Sequence, residues 1–154
     1  MIRINQSLLT TVSKEAAQSL RKRKNYNFHK ETSDPIQRLL NAMEPGTYVC
    51  PHKHEDPDKR EVFFILKGKA AVIEFDEEGN ITDHEILDPI HGRYAAEIPA
   101  RVYHTIVCLE AGTVAYEVKD GPYSPADDKS FAAWAPQEGS EKCDEYLNDL
   151  LKKI

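Results

Sequence analysis

His52 and His54 flank a single lysine, and Glu61 follows beyond a short polar insert. In an extended chain successive side chains alternate between two faces, so both imidazoles project to the same side, where they could grip one ion. The insert Glu55-Asp56-Pro57-Asp58-Lys59-Arg60 is polar and holds a proline, which reads as a loop, and Glu61-Val62-Phe63-Phe64-Ile65-Leu66 then reads as a strand. On that strand Glu61, Phe63 and Ile65 share a face. A carboxylate at the mouth of an apolar surface is costly unless it is paired or bound to a cation. The alternative is that the histidines are solvated residues at a strand end and that Glu61 pairs with Lys59 or Arg60. A further donor, His104, lies beyond Pro99 and opens the run His104-Thr105-Ile106-Val107-Cys108.

In this order the residues resemble the two motifs of the cupin superfamily: Gly46, His52, His54, Glu61 and Gly68 in the first, Gly92, Pro99 and His104 in the second. The resemblance implies a mainly β fold, a small antiparallel β-barrel or double-stranded β-helix of jelly-roll type with short N- and C-terminal helices. It also implies a metal held by His52, His54, Glu61 and His104, all facing into the barrel. The chain departs from the pattern in a longer gap between His54 and Glu61, in Arg101 where glycine is usual, and in Cys108 where the motif commonly ends in asparagine. An arginine near the pocket could attract an anionic ligand. A closer resemblance runs through Tyr26-Asn27-Phe28-His29, Pro45-Gly46-Thr47-Tyr48-Val49, Gly121-Pro122-Tyr123-Ser124-Pro125 and Asp128-Lys129-Ser130-Phe131-Ala132-Ala133-Trp134-Ala135-Pro136, which look like the WbuC-type cupins. That family is associated with bacterial O-antigen and related polysaccharide gene clusters, and no reaction is firmly assigned to it.

Three imidazoles and a carboxylate leave positions on a five- or six-coordinate ion for water or ligand, which suits Fe, Mn, Ni, Co or Zn as a divalent ion. Metal binding needs unprotonated imidazoles, so affinity is expected to fall as pH drops below ~6.5. One functional expectation is a metal-dependent isomerase or epimerase acting on a sugar or sugar nucleotide, with an Fe(II)-dependent oxygenase as a variant. The other is a non-catalytic metal-dependent carbohydrate-binding or regulatory module. A closed tetrahedral site serving only the fold is a third. As a ligand, Glu61 could not also be the free base, so proton transfer must fall to Tyr48, Tyr103, Tyr116, Glu117 or His91. Tyr48, Tyr116, Arg101, Cys50 and Cys108 are the candidates for lining the substrate pocket. Cys50 shares the histidine face if its strand runs back through Pro51, and Cys108 shares the face of His104; each is alternatively a small core residue.

With 154 residues, the chain suffices for one domain with a real core. Its content of 40% hydrophobic and 30% charged residues is that of a soluble globular protein, with no apolar run of the ~20 residues that span a bilayer. The first residues lack a secretory pattern, so a cytoplasmic address is expected. Cys50, Cys108 and Cys143 are widely spaced and expected to be reduced. A formal net charge of −6 argues against a general nucleic-acid surface.

Residues 1–33 read as an N-terminal arm or helix, 34–140 as the barrel with a wrapping loop, and 141–154 as a C-terminal helix. Ser13 is the expected N-cap of a helix ending at Arg21-Lys22-Arg23-Lys24, whose cations would complement its C-terminal end. Propensity makes Asp34 to Met43 a helix, but the resemblance implies a strand. Gly79-Asn80 should turn a hairpin between Ala70–Phe75 and Ile81–Leu87. Tyr123, Phe131 and Trp134 either anchor the wrapping segment or stack on a sugar ring. Leu147, Leu150, Leu151 and Ile154 form an apolar stripe that packs on the barrel or on a second subunit. Cupins often pair through sheet edges, which makes a homodimer the expected assembly.

Overall fold

The computed structural model describes residues 1–126 and 128–154. In chain order the elements are α1 (Gln6–Gln18), β1 (Arg23–Asn27), β2 (Ile36–Met43), β3 (His52–Lys53), β4 (Glu61–Lys67), β5 (Ala70–Phe75), β6 (Ile81–Leu87), β7 (Ala95–Ile98), β8 (Tyr103–Cys108), β9 (Thr113–Asp120), β10 (Ser130–Phe131) and α2 (Cys143–Leu151), with a 3-10 turn at Pro89–His91. The strands form two five-stranded sheets, ordered β1-β2-β9-β4-β7 and β10-β3-β8-β5-β6, with antiparallel pairing throughout. This is the cupin jelly roll.

Alternation along the strands sorts the side chains into three apolar layers. Between the sheets lie Met43, Phe63, Ile65, Val72, Ile98, Ile106 and Cys108. The outer face of the second sheet is covered by Ala132, Ala135, Leu147 and Leu150, which pack with Tyr48, Ile73 and Phe75. Helix α1 covers the outer face of the first sheet with Leu9, Val12 and Ala16 against Leu40, Ala42 and Val114. Both sheets are thus sandwiched.

The expected hairpin has the bounds assigned to it, and Gly79 is required there twice over. Its φ is +88°, and an added Cβ would lie 2.7 Å from the Trp134 ring. Trp134 packs on Phe75 and Tyr103, so it anchors the wrapping segment. Residues 36–43 form a strand as the resemblance implied: β2 pairs on both sides, with β1 and β9, and that pairing overrides its local helical propensity.

Two N-terminal expectations need correction. Helix α1 starts earlier, capped by the Asn5 side chain at Leu8 N, while Ser13 is buried mid-helix and donates to Gly112 O at 3.3 Å. The basic run is not a helix end. Ser19 closes α1, Arg23 and Lys24 open β1, and Arg21 and Arg23 both pair with Glu138. At the other terminus Leu147 and Leu150 pack on the barrel, whereas Leu151 is exposed.

Candidate metal centre

His52 and His104 are direct cross-strand partners on β3 and β8, His54 follows β3, and Glu61 opens β4 across the barrel. Each is 3% exposed or less. One ligand atom from each of the four lies within 4.8 Å of the others. Donors sharing an ion at ~2.1 Å stand up to about 4.2 Å apart, so small rotations bring all of them onto one ion.

The hydrogen bonds fix which ring nitrogens face inward. His52 Nδ1 meets Cys50 O at 2.9 Å, His104 Nδ1 meets Val102 O at 2.9 Å, and His54 Nδ1 meets Asp128 O. A backbone carbonyl only accepts, so each Nδ1 must donate, and every Nε2 is turned to the centre. There Glu61 Oε2 lies 2.9 Å from His104 Nε2 and 3.3 Å from His54 Nε2, while His52 Nε2 is buried without a partner. Lone pairs on nitrogen and on a carboxylate oxygen repel unless a positive charge sits among them. A buried cluster of this donor set suits a single metal ion.

Burial pushes His52 well below the ordinary imidazole value, and Lys129 and His104 add to the effect. Burial alone would raise the Glu61 carboxyl, but without an ion the rings of His104 and His54, when protonated at Nε2, hold it well below the usual carboxylate range. Neither Lys59 nor Arg60 pairs with Glu61: Lys59 binds Asp128 at 2.7 Å and Arg60 binds Asp120 at 2.9 Å.

Of the proton-transfer candidates, the fold brings Glu117 to the cluster. Residues Phe63 and Glu117 are register partners, as are Glu61 and Lys119, so Glu117 and Lys119 share the inward face with Glu61. Asn41 Nδ2 donates to Glu117 Oε2 at 3.1 Å. Burial, with the Glu61 charge nearby, raises the Glu117 pKa strongly. Lys129 is exposed overall, yet burial at its ammonium lowers its pKa against the pull of Glu61 and Glu117.

The other candidates lie elsewhere. Tyr48 is buried in the layer under α2, donates to Pro136 O at 2.7 Å, and is pushed far up by burial. Tyr116 packs with Phe28 under α1, on the face opposite Glu117. Cys50 belongs to the outer layer because β3 begins only at His52; it serves the site through its carbonyl. Cys108 shares the inward face of His104 but sits in the apolar core, its thiol near Met43 O and Glu110 O. Tyr103 points outward beneath Lys53, and His91 pairs with Asp88 near the Ala70 end of β5. All three cysteines are free and buried.

Arg101 is not poised for an anion. Its guanidinium faces Glu55, Asp56 and Asp58, at 3.8, 3.1 and 2.7 Å. The position nevertheless has the backbone a glycine favours, since φ is +68° there and the Arg101 N–H donates to His54 O at 3.0 Å. Sequence reading missed Asp128 and Lys119 as parts of the site's surroundings; the period-two spacing of Glu117 and Lys119 was the available signal for the latter.

No curated protein matches the chain. Among solved structures, TT1209 from Thermus thermophilus is similar at 20% identity and a TM-score of 0.56, over 78% of this chain and 97% of that one. The capsular polysaccharide assembling protein CapF from Staphylococcus aureus is similar at 17% identity and a TM-score of 0.54, over 70% of this chain and 31% of that one. Bacillus subtilis oxalate decarboxylase, a protein with Mn(II) centres, is similar at 18% identity and a TM-score of 0.51, over 71% of this chain and 30% of that one. The chain thus spans about a third of the length of the latter two. These likenesses agree on the cupin fold. Residues 4–87 match the family described as Domain of unknown function (DUF6016), and the chain belongs to it.

Proposed function

We propose that this chain is a single-ion metalloprotein, a WbuC-type cupin acting on a carbohydrate-like small molecule, with His52, His54 and His104 ligating through Nε2 and Glu61 through a carboxylate oxygen. The observation that carries the reading is the trio of Nδ1-to-carbonyl bonds that turns three lone pairs toward Glu61 Oε2 and leaves His52 Nε2 unpartnered. When bound, a divalent transition ion would supply Lewis acidity toward an oxygen donor of the ligand. Glu117 would hold and move a proton: burial beside Glu61 favours its protonated form, and Asn41 donates to its Oε2. Phe131 stands at the rim, exposed, with its ring 6.1 Å from that of His52, where an apolar sugar face could rest on it.

The carbohydrate reading draws support from the WbuC-like phrases and from the fold shared with a capsular polysaccharide assembling protein. A sugar or sugar-nucleotide intermediate of O-antigen-type surface polysaccharide is its most specific form, in a cytoplasmic homodimer. The test loads the purified protein with Mn(II), Fe(II), Ni(II), Co(II) or Zn(II) and exposes it to a panel of sugar nucleotides, following binding and product together. Turnover lost in His52→Ala and in Glu117→Gln supports the enzyme. Tight binding without turnover across the panel replaces it with a binding module.

A further inference from the structure

Two of the three imidazoles are oriented by their own strand neighbourhood. His52 uses the carbonyl of Cys50 and His104 that of Val102, each two positions back along the chain. His54 differs. Its Nδ1 donates to the carbonyl of Asp128, 74 positions away on the segment that wraps the barrel. Without that acceptor nothing among its described hydrogen bonds selects the tautomer that directs Nε2 inward.

Asp128 is itself fixed by buried charge. Its carboxylate takes Lys59 Nζ at 2.7 Å on one oxygen and Lys119 Nζ at 2.5 Å on the other. The three residues are 2%, 3% and 5% exposed for Asp128, Lys59 and Lys119. Burial would raise the Asp128 carboxyl, and the two ammonium groups hold it below its ordinary value. Both lysines come from the vicinity of Glu61: Lys59 lies in the insert between His54 and Glu61, and Lys119 is the register partner of Glu61 on β9. The insert that lengthens the first motif therefore supplies one of the two cations. Lys59 Nζ also donates to Pro122 O at 2.5 Å, which ties the start of the same segment.

We propose that Asp128 is a positioning residue for the metal centre: clamped by Lys59 and Lys119, it presents its carbonyl to His54 and fixes that ring in the metal-binding tautomer. The proposal rests on the single-ion reading above, and its test separates the two. Outer partners of metal-ligating histidines are typically worth ~10- to 100-fold in metal affinity. Such a loss is expected here through one ligand of the four, and by reciprocity a bound ion holds Asp128 in place.

The experiment uses the full chain as wild type, Asp128→Asn, Lys59→Met and, as control, Asp120→Asn, whose carboxylate meets the Arg60 guanidinium and backbone N–H and no residue of the cluster. Imidazole 15N shifts of the metal-free proteins report each ring's tautomer, and Mn(II) and Zn(II) titrations report affinity. In Asp128→Asn and Lys59→Met, His54 is expected to lose its uniform Nδ1–H form while His52 and His104 keep theirs, with metal affinity down ~10- to 100-fold and the control unchanged. Lys59→Met leaves Asp128 paired with Lys119, so it serves if Asp128→Asn fails to fold. A folded variant with His54 still uniformly Nδ1-protonated, and with wild-type affinity, overturns the clamp. Should the wild type bind neither ion, the single-ion reading fails and the clamp is decided by the tautomer alone.

Discussion

The two ends of one barrel are built from the same strands and do opposite work. Inward positions on β4 run Glu61, Phe63, Ile65; on β9 they run Lys119, Glu117, Ala115; on β8 they run His104, Ile106, Cys108. One end gathers the titratable groups, and the other is filled by the apolar core of Met43, Phe63, Ile65, Val72, Ile106 and Cys108. The alternation is identical at both ends, so strand periodicity does not decide which end carries chemistry. Register does. Pairing His52 with His104 and Glu61 with Lys119 brings polar residues of four strands to one level.

Substitutions at the two ends should therefore separate metal affinity from stability. The largest effect is expected from His104→Ala, which removes a donor beside Glu61 Oε2 and should weaken metal binding more than ~100-fold, read by titration. At the apolar end, Ile106→Ala should cost about 2–5 kcal/mol in denaturant unfolding while leaving metal affinity unchanged. Equal loss of metal binding in both variants would erase the distinction. Away from both ends, Gly79→Ala should cost about 1–3 kcal/mol, because φ is +88° and Trp134 occupies the space a Cβ needs.

The smaller effects are in pH dependence. Burial depresses the folded-state pKa of His52, so the unfolded chain binds the proton more readily, and metal-free stability should fall as pH drops below ~6.5. His52→Leu should flatten that limb in thermal unfolding between pH 7 and 5. Asp88 acts lower on the scale. Lys69, with His91, holds its carboxyl down at about 2, so its stabilisation is present above ~3.9 and lost as pH falls toward 2. Asp88→Asn should make the acid limb shallower there without touching the metal centre.

The grouping of His52, His54, Glu61 and His104 was legible in the sequence because spacing puts His52 and His54 on one face and because Pro99 and His104 complete the second motif the chain resembles. The hairpin at Gly79 was legible for a similar reason: its signal is local and its two flanking runs alternate. Glu117 was one name among five, since choosing it over Tyr116 requires knowing which face of β9 meets Glu61, and that is a matter of register. The Asp128 clamp was not legible at all. It depends on the docking of a segment far along the chain against two lysines whose spacing carries no periodic signal. Ser13 misled because a serine before a helical-looking run resembles a cap, while Asn5, the residue that caps α1, stands earlier in the same arm.

The four side chains His52, His54, Glu61 and His104 are proposed to hold one ion. The most direct test is metal content after equilibrium dialysis of the wild type and of His52→Ala against each candidate ion at neutral pH. About one ion per wild-type chain is expected for at least one metal, with retention lost in the variant. An empty wild type, or a variant that retains the ion as tightly, would contradict it.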